Sequence, residues 1–246
     1  MVKLMQLLTE GVYDKGIFKA VFMAGGPGSG KSFIASNIFG IPEKSTTSIG
    51  GLKVINSDHE FKYLLKKYGF DPEWLDQYPP GTFDEPGGLR DFAKDLNKQR
   101  KMGYLDGKMG MIIDGTGHNF KKIRKERDYL HKQGYDTYMV FVMTSLETAL
   151  KRNVERGKKG DRVLDAKIVE KSWRDTRKNL GAYKALFKQN LKIVYNDKYL
   201  EPRQARHYFA NLVDAPVKKF LNTPIKNPIG KKWVQDQIEL KNRGVK

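Results

Sequence analysis

The residues Gly25-Gly26-Pro27-Gly28-Ser29-Gly30-Lys31-Ser32 fit the pattern G-x-x-x-x-G-K-[ST], and the chemistry that pattern serves is phosphate binding. Glycine lets the chain wrap an anion with its amide hydrogens pointing inward, at backbone angles that a side chain would obstruct. Gly26, Gly28, Ser29 and Gly30 read as the cradle, Lys31 as the cation for the β and γ phosphates of ATP, and Ser32 as a hydroxyl ligand for Mg²⁺. A chance glycine-rich turn is the competing reading. Context favours the cradle, because Ile17 to Met23 reads as a short buried strand before it and Phe33, Ile34, Ala35 and Ile38 begin a helix-spaced pattern after it.

Holding a nucleotide is not yet catalysis. Transfer of its outer phosphate needs an acceptor held in line, a group to take the acceptor's proton, and cations to meet the developing charge. Asp58 is the candidate base, because in a doubly wound sheet the carboxyl end of the neighbouring strand faces the phosphate site; capping the next helix is its alternative role. Asp114 ends the apolar run Gly110-Met111-Ile112-Ile113 and is a candidate for holding Mg²⁺ through water or orienting substrate. Thr116, His118 and Asn119 stand at the same edge, with Thr116 read as a substrate contact and His118 as a solvated loop residue. Arg152 and Arg156 share a helix with Lys151, and Arg162 follows the break Gly157-Lys158-Lys159-Gly160. A closing segment at about 152–165, aiming Arg152, Arg156 and Arg162 at the phosphates, is the expectation.

The elements that must position these groups alternate along the chain. Strands are predicted at Leu52–Asn56, Gly110–Asp114, Tyr138–Met143 and Leu191–Tyr195 besides the first. Between them the apolar spacing predicts helices through Phe61–Tyr68, from Leu89 to about Met102, through Phe120–Leu130, over Leu146–Arg156 behind an Ser145 cap, and from Asp165 to about Gln189. Strands separated by helices throughout imply a doubly wound parallel α/β sheet, which together with the glycine-rich motif resembles the P-loop, nucleoside-monophosphate-kinase-like folds. Residues 70–90 hold proline, glycine and aromatics without a steady period, and read as an irregular, substrate-facing loop. The expected division is a P-loop domain over 1–198 and a helical, basic C-terminal extension over 199–246.

Charge bears on the partner. The 246 residues carry a formal charge of +18, and residues 121–190 hold 19 Lys and Arg against 9 Asp and Glu. Residues 191–246 hold 12 against 5. Such a balance fits loose binding of a polyanion, with ordinary solvated helix faces as the bland alternative. Hydrophobic content of 39% with no apolar run near 20 residues implies no membrane span. The lack of cysteine excludes disulfides and thiolate metal sites, and together with a start unlike a signal peptide makes the cytoplasm the expected compartment.

Four stretches together resemble the kinase domain of bacteriophage polynucleotide kinase, within the wider group of zeta-toxin kinases. They are Gly26 to Ser32, Ile55-Asn56-Ser57-Asp58, Ile112-Ile113-Asp114-Gly115-Thr116, and Lys151-Arg152-Asn153 with Arg156-Gly157. The likeness runs from about Ile17 to Tyr195. It implies Asp58 as general base, Lys31 and Arg156 on the transferred group, and Asp114-Gly115-Thr116 against the acceptor. That family pattern places an arginine three residues after the base; here the position is Phe61, with Lys62 beside it as the substrate-side cation. The expected activity is an ATP- and Mg²⁺-dependent kinase acting on a hydroxyl of a nucleic acid, either a 5′ end or a hydroxymethylated base, or of a nucleotide. A nucleotide-sugar kinase and a nucleotide-anchored nucleic-acid-binding protein are the alternatives.

Overall fold

The computed structural model describes residues 11–41, 46–48, 50–71, 78, 82–83, 85–158, 163–197, 202–209, 212–213 and 215–244. Five parallel strands form one sheet: β1 (Lys19–Ala24), β2 (Lys53–Ile55), β3 (Met111–Gly115), β4 (Asp136–Met143) and β5 (Leu191–Tyr195), in the order β2-β3-β1-β4-β5. Helices follow the strands: α1 (Lys31–Phe39), α2 (Ser57–Lys67), α3 (Leu89–Asp106), α4 (Phe120–Lys132), α5 (Leu146–Gly157), α6 (Ala166–Lys178) and α7 (Leu180–Phe187). Beyond the sheet lie α8 (Pro202–Phe209), α9 (Ala215–Asn222) and α10 (Pro228–Asn242).

Alternation along β1 divides the core. Val21 and Met23 face one side of the sheet with Ile34, Val140 and Val194, while Ala20, Phe22 and Ala24 face the other with Met139, Phe141 and Tyr183. Every residue of β1 is buried, as a central strand covered on both faces requires. A third cluster, Phe61, Leu64, Leu65 and Ala93, joins α2 to α3. Rings from the irregular segment complete it: Phe83 lies 5.1 Å from Phe70, 5.4 Å from Tyr78 and 5.9 Å from Phe61, all edge to face. Phe70, Tyr78 and Phe83 of the irregular segment therefore extend this small core; the rest of the 70–90 loop falls mostly outside the described residues.

Three expectations need correction. The strand that leads to Asp58 is not β1's neighbour: β2 sits at the sheet edge and β3 lies between them, and Asp58 itself falls in α2. The single helix expected from Asp165 to Gln189 is divided at Asn179, a turn residue of right-handed helical backbone whose side-chain amide donates to carbonyls of the loop after β3. α3 runs past Met102 to Asp106. After Asn196 the weak periodicity conceals helices that serve both faces of the sheet: Phe209, Val217 and Phe220 join the first side of the core, and Trp233 and Val234 pack on the second.

Candidate active site

The cradle is built by two left-handed glycines. Gly28 and Gly30 have φ of +71° and +76°, a region that costs a side chain about 1–2 kcal/mol. A Cβ on Gly28 would also stand 2.3 Å from the Ala149 carbonyl oxygen of α5, and one on Gly30 would stand 2.3 Å from the Asn196 amide nitrogen. Asn196 Nδ2 donates to Ser29 O at 2.8 Å, and Arg152 Nη1 donates to Asn196 O at 2.8 Å and to Gly28 O at 3.4 Å. The loop is therefore braced from outside by α5 and by the end of β5. Gly28→Ala is expected to lower the melting temperature by several degrees and to weaken ATP binding. Gly26→Ala, whose added carbon would meet backbone atoms of Trp173 and Ser172 at 3.6 Å or more, should leave the melting temperature within a degree or two. Equal melting temperatures for the two variants would contradict this account.

Lys31 and Asp114 meet. The Lys31 ammonium is ion-paired with Asp114 Oδ1, and Asn56 Nδ2 donates to Asp114 Oδ2 at 2.8 Å, so both carboxylate oxygens are engaged at the carboxyl ends of β1, β2 and β3. Asn56 also caps α2, accepting from Asp58 N at 2.9 Å, so the capping role considered for Asp58 belongs to its neighbour. Asp58 stands in the first turn of α2 with its side chain 68% exposed. It faces Arg90 Nη1 at 3.5 Å, and that guanidinium lies over the Phe61 ring at 4.0 Å from its centroid. A cation thus reaches the Asp58 neighbourhood from α3, three residues after Asp58 being occupied by the ring on which it stacks. Lys62 is exposed on α2.

The loop after β3 is held by its carbonyls. Thr176 Oγ1 donates to Thr116 O at 3.2 Å, Tyr183 Oη to Gly117 O at 2.9 Å, and Asn179 Nδ2 to His118 O at 2.7 Å. Burial pushes the Tyr183 hydroxyl far above its usual range, so it stays a donor at any working pH. Thr116 Oγ1 in turn contacts His118 Nδ1, which gives His118 a local partner although its ring is exposed.

Of the cationic groups expected on the closing segment, Arg152 is half-buried against the cradle, where burial pulls its pKa down and Asp197 and Glu155 oppose that pull. Asp197 accepts from Thr144 Oγ1 at 2.8 Å and from Ser145 N; burial works to raise its pKa, and these bonds with the Arg152 charge bring it below the carboxylate norm. Arg152 is therefore a brace of the cradle's outer wall in this structure. Arg156 is exposed on α5, and Arg162 lies outside the described residues. Asn153, 5% exposed, clasps the segment's far end: its Nδ2 donates to Leu164 O at 2.8 Å and its Oδ1 accepts from Leu164 N at 3.1 Å.

Beside Asp114 a cavity of about 370 Å³ opens between α3 and α4, floored by the ends of β1, β2 and β3 and reached by Ser57, Asp114, Thr116 and His118. Asp58 is not among its lining residues. The roles of Asn56, Arg90 and Asn196 escaped the sequence reading. Asn56 carried a signal, since it ends a strand beside two polar residues; Arg90 and Asn196 reach the site only through the packing of distant elements.

A five-stranded parallel sheet in this order, with a phosphate cradle between β1 and α1, defines a P-loop kinase fold. The Zeta toxin family model matches residues 13–205, and the chain belongs to that family. Among solved structures, the AvrRxo1-ORF1:AvrRxo1-ORF2 complex with sulphate ions matches with a TM-score of 0.54 at 11% identity, over 89% of this chain and 71% of that one. The PezAT toxin-antitoxin system of Streptococcus pneumoniae matches at 18% identity and a TM-score of 0.49, over 96% and 93%. The Pnkp1/Rnl/Hen1 RNA repair complex matches at 16% identity and 0.49, over 67% of this chain and 45% of that one, so the chain spans under half its length. The family shown is thus the wider zeta-toxin group. Comparison with curated proteins found no match in sequence. Among the described residues, no helix is long and apolar enough to cross a membrane.

Proposed function

We propose that this protein transfers the γ-phosphate of ATP to a hydroxyl group of an acceptor held in the cavity beside Asp114, the acceptor being a nucleotide or a nucleic-acid end. The observation that carries this reading is the meeting of Lys31, Asp114 and Asn56, where Asp114 links the cradle's lysine to a cavity large enough for a nucleotide-sized molecule. Amides of Gly26 to Ser32 and the amino end of α1 hold the phosphates. When ATP arrives, Lys31 exchanges a carboxylate partner for phosphate oxygens, and Asp114, still held by Asn56, stays in place.

Asp58 is the base in this reading. Asp114 stays held by Asn56 and serves the metal once ATP draws Lys31 away, whereas Asp58 is exposed and held by one long ion pair, so its carboxylate can turn toward an incoming hydroxyl. Thr116 and Lys62 contact the acceptor, and Arg156 and Arg162 close over the transferred group while Arg152 fixes the cradle. Mg²⁺ suits the donors present: the exposed Ser32 hydroxyl and the Asp114 carboxylate are hard oxygen ligands, and this ion needs few from the protein. Bound there, it would neutralise charge on the β and γ phosphates.

Incubation with γ-labelled ATP and a panel of nucleosides, nucleotides, nucleotide sugars, and DNA and RNA with 5′-hydroxyl ends tests this directly. Label is expected on one class of acceptor hydroxyl. Release of phosphate to water alone, with every acceptor unlabelled, would contradict it. Steep loss of transfer between 50 and 200 mM salt, on the order of 10-fold or more, marks a nucleic-acid acceptor, and a shallow dependence marks the nucleotide-sugar alternative.

A further inference from the structure

Thr116 and His118 make a contact that holding an acceptor does not call for. Thr116 Oγ1 meets His118 Nδ1, and both residues line the cavity beside Asp114. A hydroxyl resting on a ring two residues away often does no more than close a loop. Here the loop is closed by other means. Its three successive carbonyls, of Thr116, Gly117 and His118, are held by Thr176, Tyr183 and Asn179. Gly117 makes the turn at φ +78°, with the Ala24 Cβ 2.9 Å from where its own would stand. The side-chain pair is surplus to that scaffold.

The pair also stands at the phosphate cradle. Gly25 N donates to Thr116 O at 3.1 Å, which carries the β1–β3 ladder one residue beyond the register of Ala24 with Gly115. Residues two apart on a strand share a side, so Thr116 falls on the side of Asp114, the ion-pair partner of Lys31. The lysine read as receiving the outer phosphates is thus anchored two residues from a hydroxyl that already touches a nitrogen base. A hydroxyl with a base in contact is the arrangement of an activated nucleophile.

We propose that Thr116 is a site of self-phosphorylation: with the cavity empty, its hydroxyl takes the γ-phosphate of the ATP bound in the same chain. The inference rests on the reading of this site as a kinase. In the neutral ring that carries its proton on Nε2, His118 Nδ1 accepts the hydroxyl proton while the bond from Thr116 Oγ1 to phosphorus forms. The bond from that phosphorus to the β,γ-bridging oxygen breaks, ADP departs with the bridging oxygen, and the exposed ring passes its proton to water. The product places a charge of about −1.5 to −2 near Asp114, in the space an acceptor would fill. Self-phosphorylation therefore turns the site off, and an acceptor in the cavity protects the chain from it.

To test this, the full chain is incubated with Mg²⁺ and γ-labelled ATP without acceptor, and the protein is followed by intact mass and peptide mapping. A single phosphate is expected, on Thr116, at a rate per chain that does not change with protein concentration. T116S should still take label. T116V, which keeps the shape and the carbonyl bonds of the loop, should take at least about 10-fold less, with a melting temperature within a degree or two of the native one. H118A should slow labelling on the order of 10²-fold. D58A separates this reaction from transfer to an acceptor, because His118 takes the proton here: acceptor transfer falls and labelling of Thr116 persists. Label confined to other residues, a rate that rises with protein concentration, or an H118A chain labelled at the native rate overturns the proposal. So does a chase with unlabelled ATP and the acceptor panel above that moves label from Thr116 into product, since Thr116 would then be an intermediate and not a block. If acceptors are labelled and Thr116 never is, self-phosphorylation fails and the kinase reading stands; if Thr116 is labelled and no acceptor is, the reverse holds.

Discussion

Asp58→Ala is expected to slow phosphoryl transfer about 10²–10⁴-fold while ATP affinity stays within about twofold, measured by single-turnover transfer of labelled phosphate and by nucleotide titration. The split follows from position. Asp58 is exposed in the first turn of α2, which follows a strand separated from β1 by β3, and it touches Arg90 from α3. Removing it takes away a proton acceptor and leaves the phosphate-holding parts untouched. Asp114→Ala should behave differently, raising the dissociation constant for ATP with Mg²⁺ as well as slowing transfer, because it frees Lys31 and leaves Asn56 without its acceptor. A fivefold or smaller effect of Asp58→Ala, beside complete loss in Asp114→Ala, would move the base to β3. A parallel fall in ATP affinity for Asp58→Ala would make Asp58 structural.

These contrasts also mark what a sequence can carry. The cradle was legible from Gly25 to Ser32 because its geometry is local: two left-handed glycines, a lysine and a helix start are all written within eight residues. Asp114 was legible for the same reason, as the polar end of an apolar run. The partner of Asp58 was not, since Arg90 lies 32 positions away and reaches it only because α2 and α3 pack through Phe61, Leu64, Leu65 and Ala93. Strand order is likewise non-local. Nothing in the residues 52–56 says that β3, made much later in the chain, will insert between β2 and β1.

Arg152 illustrates a subtler failure. Its spacing with Arg156 on α5 suggested two cations aimed at phosphate, yet one turn of helix separates a half-buried brace on the carbonyls of Gly28 and Asn196 from an exposed residue. The difference comes from the end of β5, whose Asn196 sits 44 positions on and fills the space beside Gly30. Helical spacing identifies a shared side of α5; it does not say which residue on that side meets the cradle.

The second large effect concerns stability, and its site was invisible in the sequence. Lys19, 2% exposed in the middle of the core, pairs with Asp136 at 2.8 Å across the first rung of β1 and β4 and lies 4.9 Å from the Phe220 ring. Asp136 accepts two further hydrogen bonds, from Lys226 N at 2.9 Å and Asn227 N at 3.0 Å, so one carboxylate ties the sheet to the turn that begins α10. Asp136→Ala leaves a buried ammonium with only a ring beside it and two amide hydrogens without acceptors. The expected loss is about 3–5 kcal/mol in denaturant unfolding, enough to open a domain of ordinary stability. Asp136→Asn keeps an oxygen for the amides and should cost less than alanine, though still over about 2 kcal/mol because the charge remains unpaired. Adding Lys19→Met to Asp136→Asn removes that charge and should restore most of the loss, since a buried ion pair replaced by matched uncharged groups is often neutral. If the double variant were no more stable than Asp136→Asn alone, the charge would not be the cause, and the anchoring of α10 through Lys226 and Asn227 would have to carry the whole effect.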